Sequence, residues 1–294
     1  MEKTVLMTIE YDGTGFAGWQ RQPNVRTVQG VIEQALTDLT GSLVTIDGVS
    51  RTDAGVHAMD QKAVFTTDLR IPVESLARVL NDRLSGRPES RADNDDIRIA
   101  ACEEVDRGFN VRYESKGKTY RYSIRNAASM PVFDRNYRYL VKPELDLDRM
   151  RQAAEYIKGT HDFACFQASG GEPGKTTVRT IWDVTIKAVP AGSVIPGLDG
   201  TGMTNTTYPV KHGPEYAAAP GKDILIEISG DGFLYNMVRI ITGTLVEVGL
   251  GKKDPEDLKT IIDTRDRTLA GHTAPPQGLC LMKVYFSDEH PGNA

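Results

Sequence analysis

Apolar residues in the first hundred positions follow two rhythms. Thr4-Val5-Leu6-Met7-Thr8-Ile9-Glu10-Tyr11 has the pattern of a strand. Val28, Val31, Ile32, Ala35, Leu36 and Leu39 fall at i, i+3, i+4, i+7, i+8 and i+11, with Thr27 as N-cap and Gly41 closing the end. That spacing predicts a helix from about Thr27 to Thr40. Leu43-Val44-Thr45-Ile46 alternates and predicts a second strand, and Lys62-Ala63-Val64-Phe65 a third. A helix is expected around Val73–Leu84, a polar loop over Ser85–Asp96, and a strand resuming at Ile97-Arg98-Ile99-Ala100. The order β-α-β-β-α-β describes a ferredoxin-like α+β unit, an antiparallel sheet covered by helices on one face.

The second half begins near Phe109. In Lys118-Thr119-Tyr120-Arg121-Tyr122-Ser123-Ile124, Tyr120, Tyr122 and Ile124 share one face of a strand and Arg121 lies on the other. A helix over Asp148–Lys158, strands at Val178–Val189 and Ile224–Ile228, helices at Phe233–Val248 and Pro255–Asp263, and a final strand at Leu279–Phe286 follow. Pro190 to Gly221 is rich in Gly, Pro, Thr and Ala without periodicity and reads as an exposed insertion. The expected fold class is therefore α+β: two ferredoxin-like halves, 1–108 and 109–294, with joined antiparallel sheets and an active-site groove between them.

Composition narrows the chemistry. The N-terminus enters a strand pattern without an apolar signal region, and no apolar run approaches the roughly 18 residues that span a bilayer, so a cytoplasmic protein without a membrane partner is expected. Cys102, Cys165 and Cys280 show no C-x-x-C spacing and the histidines form no H-x-x-x-H pair, so no disulfide framework, zinc site or other metal is expected. The net charge of −5 alone argues against a nucleic-acid binder. Its distribution argues the other way. Between Arg107 and Arg125 stand Arg107, Arg112, Lys116, Lys118, Arg121 and Arg125 against Glu114, a local basic stretch able to meet phosphates.

Two stretches carry candidate chemistry. Gly13-Thr14-Gly15-Phe16-Ala17-Gly18 satisfies the G-x-G-x-x-G dinucleotide pattern after a strand. That motif needs a helix opening directly from it, yet Trp19-Gln20-Arg21-Gln22-Pro23-Asn24 follows, so a nicotinamide site is rejected. The other stretch is Gly48-Val49-Ser50-Arg51-Thr52-Asp53-Ala54-Gly55-Val56-His57-Ala58, which places Asp53 on a tight connection between two strands at a sheet rim. Gly55 permits backbone angles that would let the turn present a carboxylate, and Arg51 would favour its ionised form. The competing reading is a surface Arg51–Asp53 pair, contributing about 0–1 kcal/mol. Arg239 sits in the otherwise apolar helix of Leu234, Met237, Val238, Ile240, Ile241 and Leu245, so it either snorkels to water or meets a carboxylate. Tyr120, taken alone, reads as a core-packing tyrosine, since one alternating with another in a strand is more often that than a functional residue.

Arg51-Thr52-Asp53-Ala54-Gly55-Val56-His57-Ala58 resembles the active-site motif of the TruA-type tRNA pseudouridine synthases, which act on the anticodon arm. Tyr11–Gln20, Lys118–Tyr122, Met237–Gly243 and Gly278-Leu279-Cys280-Leu281 match other signatures of that family, so the resemblance covers nearly the whole chain. It implies isomerisation of uridine to pseudouridine at positions 38–40 of the anticodon stem-loop, with no metal and no organic cofactor. Asp53 would be the catalytic residue, Arg239 its ion-pair partner, and Tyr120 the ring against the target uracil. Phe109-Asn110-Val111-Arg112-Tyr113 resembles the family's RNA-contacting segment, although the family usually has His-Ala where this chain has Asn110-Val111. Arg51 and Arg70 are candidate RNA contacts by resemblance, and Lys175, in the polar loop Gly170–Thr177, is a weaker one. A homodimer bridged by one tRNA is also implied. Two other readings stay open: an inert RNA-binding module, which needs the basic stretch but not Asp53, and an Asp-dependent glycosyl hydrolase, which wants a second carboxylate such as Asp60.

Overall fold

The computed structural model describes residues 2–85, 95–171, 176–191, 221–287 and 290–293. In chain order the first elements are β1 (Glu2–Tyr11), α1 (Val28–Thr40), β2 (Asp47–Gly48), β3 (His57–Asp68), α2 (Val73–Leu84), β4 (Ile97–Val105) and α3 (Val111–Glu114). They are followed by β5 (Gly117–Asn126), β6 (Tyr139–Val141), α4 (Leu147–Glu155), β7 (Gly159–Asp162) and β8 (Val178–Pro190). The chain closes with β9 (Lys222–Gly230), α5 (Met237–Gly249), α6 (Asp257–Thr264) and β10 (Leu279–Tyr285). Lys175 and nearly all of the 190–221 insertion and the Ser85–Asp96 loop lie outside the described residues. The fold is α+β, with mostly antiparallel strand pairing and no described helix long and apolar enough to cross a membrane.

Two compact units divide the chain: Met1–Lys118 with Cys280–His290, and Thr119–Leu279 with Pro291–Ala294. In the first, β1 lies between β4 and β3, antiparallel to both, and β2 pairs antiparallel with β3. β10 adds to β3 in parallel, Cys280 opposite His57 and Leu281 opposite Ala58. Val5, Met7 and Ile9 are wholly buried, as are Val28, Ile32 and Leu36 of α1 and Leu76 and Leu80 of α2. α1 shows why its sequence signal was strong. The Thr27 hydroxyl accepts from Gly30 N, and Gly41 takes the left-handed conformation that its missing Cβ allows.

In the second unit the sheet order is β5-β9-β8-β7, with β6 beside β5. β9 runs antiparallel to β8, and β8 to β7. Side chains join β5 to β9 rung by rung: Thr119 to Ser229 at 2.7 Å, Arg121 to Glu227 at 2.6 Å, and Arg125 to Asp223 at 2.5 Å. The alternation expected over Lys118–Ile124 is present, with Tyr120, Tyr122 and Ile124 buried. α5 is buried nearly all round and packs against α4.

Two expected elements are corrected. Leu43–Ile46 is not a strand; strand pairing is confined to Asp47–Gly48. Its alternation is real, with Val44 and Ile46 buried and Leu43 exposed, but its backbone is satisfied by α1 side chains instead of a neighbouring strand. Val44 N donates to Thr37 Oγ1, Ile46 N donates to Glu33 Oε1, and Ile46 O accepts from Gln29 Nε2. The helix expected from Phe233 starts at Met237, because Asn236 adopts φ 60° in the left-handed region and breaks the helical path.

Candidate active site

In the first unit, Asp53 stands on the turn between β2 and β3, partly exposed. Val56 N donates to Asp53 O at 3.1 Å and closes the turn, and Gly55 takes φ 79°. Residues 11–19 clasp this turn from behind. The Tyr11 hydroxyl lies 2.7 Å from the Thr52 hydroxyl, and Trp19 N donates to Thr52 O at 3.0 Å. Gly13 N donates to His57 Nδ1 at 3.0 Å. The same nitrogen is 3.2 Å from Asp12 Oδ1, a contact that becomes an ion pair only on a protonated ring. Asp12 Oδ1 also accepts from the Thr14 N–H and hydroxyl.

The glycines of the rejected dinucleotide pattern have another purpose here. A Cβ on Gly13 would stand 2.0 Å from Val56 O, and one on Gly18 would stand 2.8 Å from Thr52 O. Gly18 also has φ 97°. They are glycines because the backbone of the Asp53 turn lies directly against them. Sequence reasoning matched this stretch to a family signature but did not find Thr52 and His57 as its contact points. The signal available was the coincidence of two glycine-rich motifs in one chain.

The segment resembling an RNA contact lies in the same unit. Asn110 caps α3 by accepting from Arg112 N and Tyr113 N, Val111 is buried, and Phe109 packs on Phe286. Tyr113 is 86% exposed, so an aromatic ring faces solvent beside a basic side chain. Arg112 Nε donates to Gly48 O at 3.1 Å and Lys118 Nζ to Val49 O at 3.2 Å. These two cations therefore sit on the residues leading into the Asp53 turn. Arg51 and Arg70 are exposed.

Tyr120 and Arg239 belong to the second unit. Tyr120 is 9% exposed and meets Phe233 edge-on, ring centroids 5.2 Å apart. Arg239 does not simply snorkel. Its Nε donates to Ala274 O at 2.8 Å and its Nη1 to Asn236 Oδ1 at 2.6 Å. Tyr122 donates its hydroxyl to Pro275 O at 2.6 Å. Burial raises the Tyr122 phenol well above its ordinary pKa, against the opposing field of Arg239.

Asp60, the second carboxylate a hydrolase would want, is committed to structure. Its Oδ2 accepts from Val284 N and its Oδ1 pairs with Lys62, each at 2.8 Å.

A sequence profile described as tRNA pseudouridine synthase matches residues 7–114 and 153–287. The chain is 42% identical to tRNA pseudouridine synthase A of Acetivibrio thermocellus and 43% identical to that of Ruminiclostridium cellulolyticum. Each comparison covers 97% of this chain and all of the relative. It is also 42% identical, over the same share, to tRNA pseudouridine synthase A 2 of Clostridium perfringens. The chain belongs to the tRNA pseudouridine synthase family. It is thus an isomerase.

Proposed function

We propose that this enzyme converts uridine to pseudouridine at positions 38–40 of the tRNA anticodon stem-loop, with Asp53 as nucleophile or general base and without a cofactor. The bond between uracil N1 and ribose C1′ breaks, the base turns, and C5 joins C1′. C5 loses its proton and N1, which carries none in uridine, takes one up, so the product is an isomer of the substrate. A carboxylate suits this reaction because it can capture or stabilise an electron-poor sugar carbon. In this reading Tyr120 stacks on the extruded uracil and Arg239 pairs with Asp53. Arg51, Arg70, Lys175 and the Phe109–Tyr113 segment hold phosphates and ribose, and two ferredoxin-like halves frame the groove of a homodimer.

One observation supports the reading most: the buried clasp of Tyr11, Gly13, Gly18 and Trp19 around the Asp53 turn, an investment in holding a partly exposed carboxylate still. Purified protein incubated with in-vitro-transcribed tRNA, followed by pseudouridine mapping across the anticodon arm, tests it. Asp53→Asn is expected to abolish product while tRNA affinity stays within about tenfold. Joint loss of binding and activity would instead make Asp53 a structural residue.

A further inference from the structure

We propose that Glu247 and His272 are positioning residues for Arg239, acting through the strap of residues 271–275. This deepens the reading above and rests on Arg239 serving the reacting site.

The strap lies along α5 and is tied to the second unit at almost every residue. Gly271 N donates to Thr244 Oγ1 at 2.8 Å, and a Cβ at Gly271 would strike the Thr244 backbone at 2.7 Å. A Cβ on Gly243 would stand 1.8 Å from His272 O, so helix and strap meet backbone to backbone through two glycines. At the far end, Ala274 N donates to Arg239 O at 3.1 Å while Arg239 Nε donates back to Ala274 O at 2.8 Å. Pro275 O accepts the Tyr122 hydroxyl. The strap carbonyl takes the guanidinium at Nε while Asn236 Oδ1 takes Nη1, so fixing the strap fixes one of these two holds on the guanidinium's aim.

Glu247 fixes it. Its Oε1 accepts from His272 N at 3.0 Å and from His272 Nδ1 at 3.1 Å. A carboxylate only accepts, so Nδ1 carries the proton of that bond. On the other side of the ring, His272 Nε2 is 3.3 Å from the Tyr139 hydroxyl. Lys253 lies 3.6 Å from Glu247 Oε2. Arg267 donates to Gly271 O and Thr273 Oγ1. Burial pushes the Glu247 carboxyl up, but the two His272 bonds and the Lys253 charge outweigh it and hold the carboxyl below its ordinary value. The anchor therefore stays ionised at neutral pH. One such anchor, about two helical turns from Arg239 along α5, sets the strap's register.

The test is single-turnover kinetics on in-vitro-transcribed tRNA. Glu247→Ala is expected to lower the rate about tenfold while leaving tRNA affinity within about twofold, because aim is lost and binding is not. Glu247→Gln keeps an acceptor oxygen and should recover most of the rate. A strap needed only for stability would lower the melting temperature without that split or that rescue. The Arg239→Lys background decides the route, since lysine has no Nε to meet Ala274 O. There Glu247→Ala should add less than about a twofold loss. Losses that multiply, or a normal rate in Glu247→Ala, overturn the inference with the proposed function intact. Wild-type protein that makes no pseudouridine removes both. Should Glu247→Ala fail to fold, His272→Ala, which keeps the backbone bond to Glu247, carries the same comparison.

Discussion

The hydroxyls of Tyr11 and Thr52 lie 2.7 Å apart and buried, joining the end of β1 to the residue that precedes Asp53. Removing one leaves the other without that partner in a buried site, at a cost of about 1–2 kcal/mol. Tyr11→Phe and Thr52→Val should each lower stability in urea by that amount and slow product formation by loosening the turn. The double variant should cost less than the two together. Additive losses would mean that the hydroxyls do not act as a pair.

The glycine-rich stretch makes a graded prediction. Gly13→Ala and Gly18→Ala put a methyl group against rigid backbone of the Asp53 turn, and Gly18 also has φ 97°. Each should cost at least about 2 kcal/mol and most of the activity. Gly15→Ala meets the ends of flexible side chains, Arg26 Nη1 at 3.0 Å and Asp96 Oδ2 at 3.4 Å, and should stay within about 0.5 kcal/mol of wild type. A phosphate-cradling loop would be sensitive at all three. Thermal denaturation of the three variants separates the two cases.

Local signals were legible where they were strong, and failed where tertiary partners decided the outcome. Val28–Thr40 was readable because periodicity, N-cap and C-cap agreed. Val73–Leu84 was readable from its apolar spacing and begins and ends where that spacing does. Leu43–Ile46 misled because its alternation reports burial, whereas its hydrogen-bond partners are Glu33, Thr37 and Gln29 on α1. The late start of α5 turns on one backbone conformation at Asn236, which composition does not encode. Of the candidate site, the Asp53 turn was visible in its motif. The Tyr11–Thr52 and Glu247–His272 pairs were not, since each joins residues 25 or more positions apart and neither side announces its partner.

A stability prediction follows from the ion network of the second unit. Asp223, wholly buried, accepts from Arg125 Nε at 2.5 Å and lies 3.4 Å from Arg138 Nε. Asp134 bridges the same two arginines from the rim, at 2.7 and 2.6 Å. Removing one carboxylate from two buried guanidinium groups leaves charge that a single rim aspartate cannot compensate. Asp223→Asn should therefore cost about 3–5 kcal/mol in chemical denaturation. A loss under about 1 kcal/mol would mean that Asp134 or water carries the arginines alone.

Asp60 separates an isomerase from a glycosyl hydrolase. A hydrolase of the two-carboxylate type needs a second acid that can give and take a proton beside the sugar. Asp60 instead accepts the Val284 amide of β10 and pairs with Lys62, whose ammonium also donates to Thr8 Oγ1 at 2.7 Å. It therefore ties β10 to β3, next to the parallel pairing of Leu281 with Ala58. Asp60→Asn keeps an oxygen for the amide and loses the charge pair, so about 1 kcal/mol of stability should be lost and pseudouridine formation retained. The measurement is product mapping on unmodified tRNA alongside a denaturation curve. A variant that folds as well as wild type yet forms no product would make Asp60 a second catalytic carboxylate of the isomerisation.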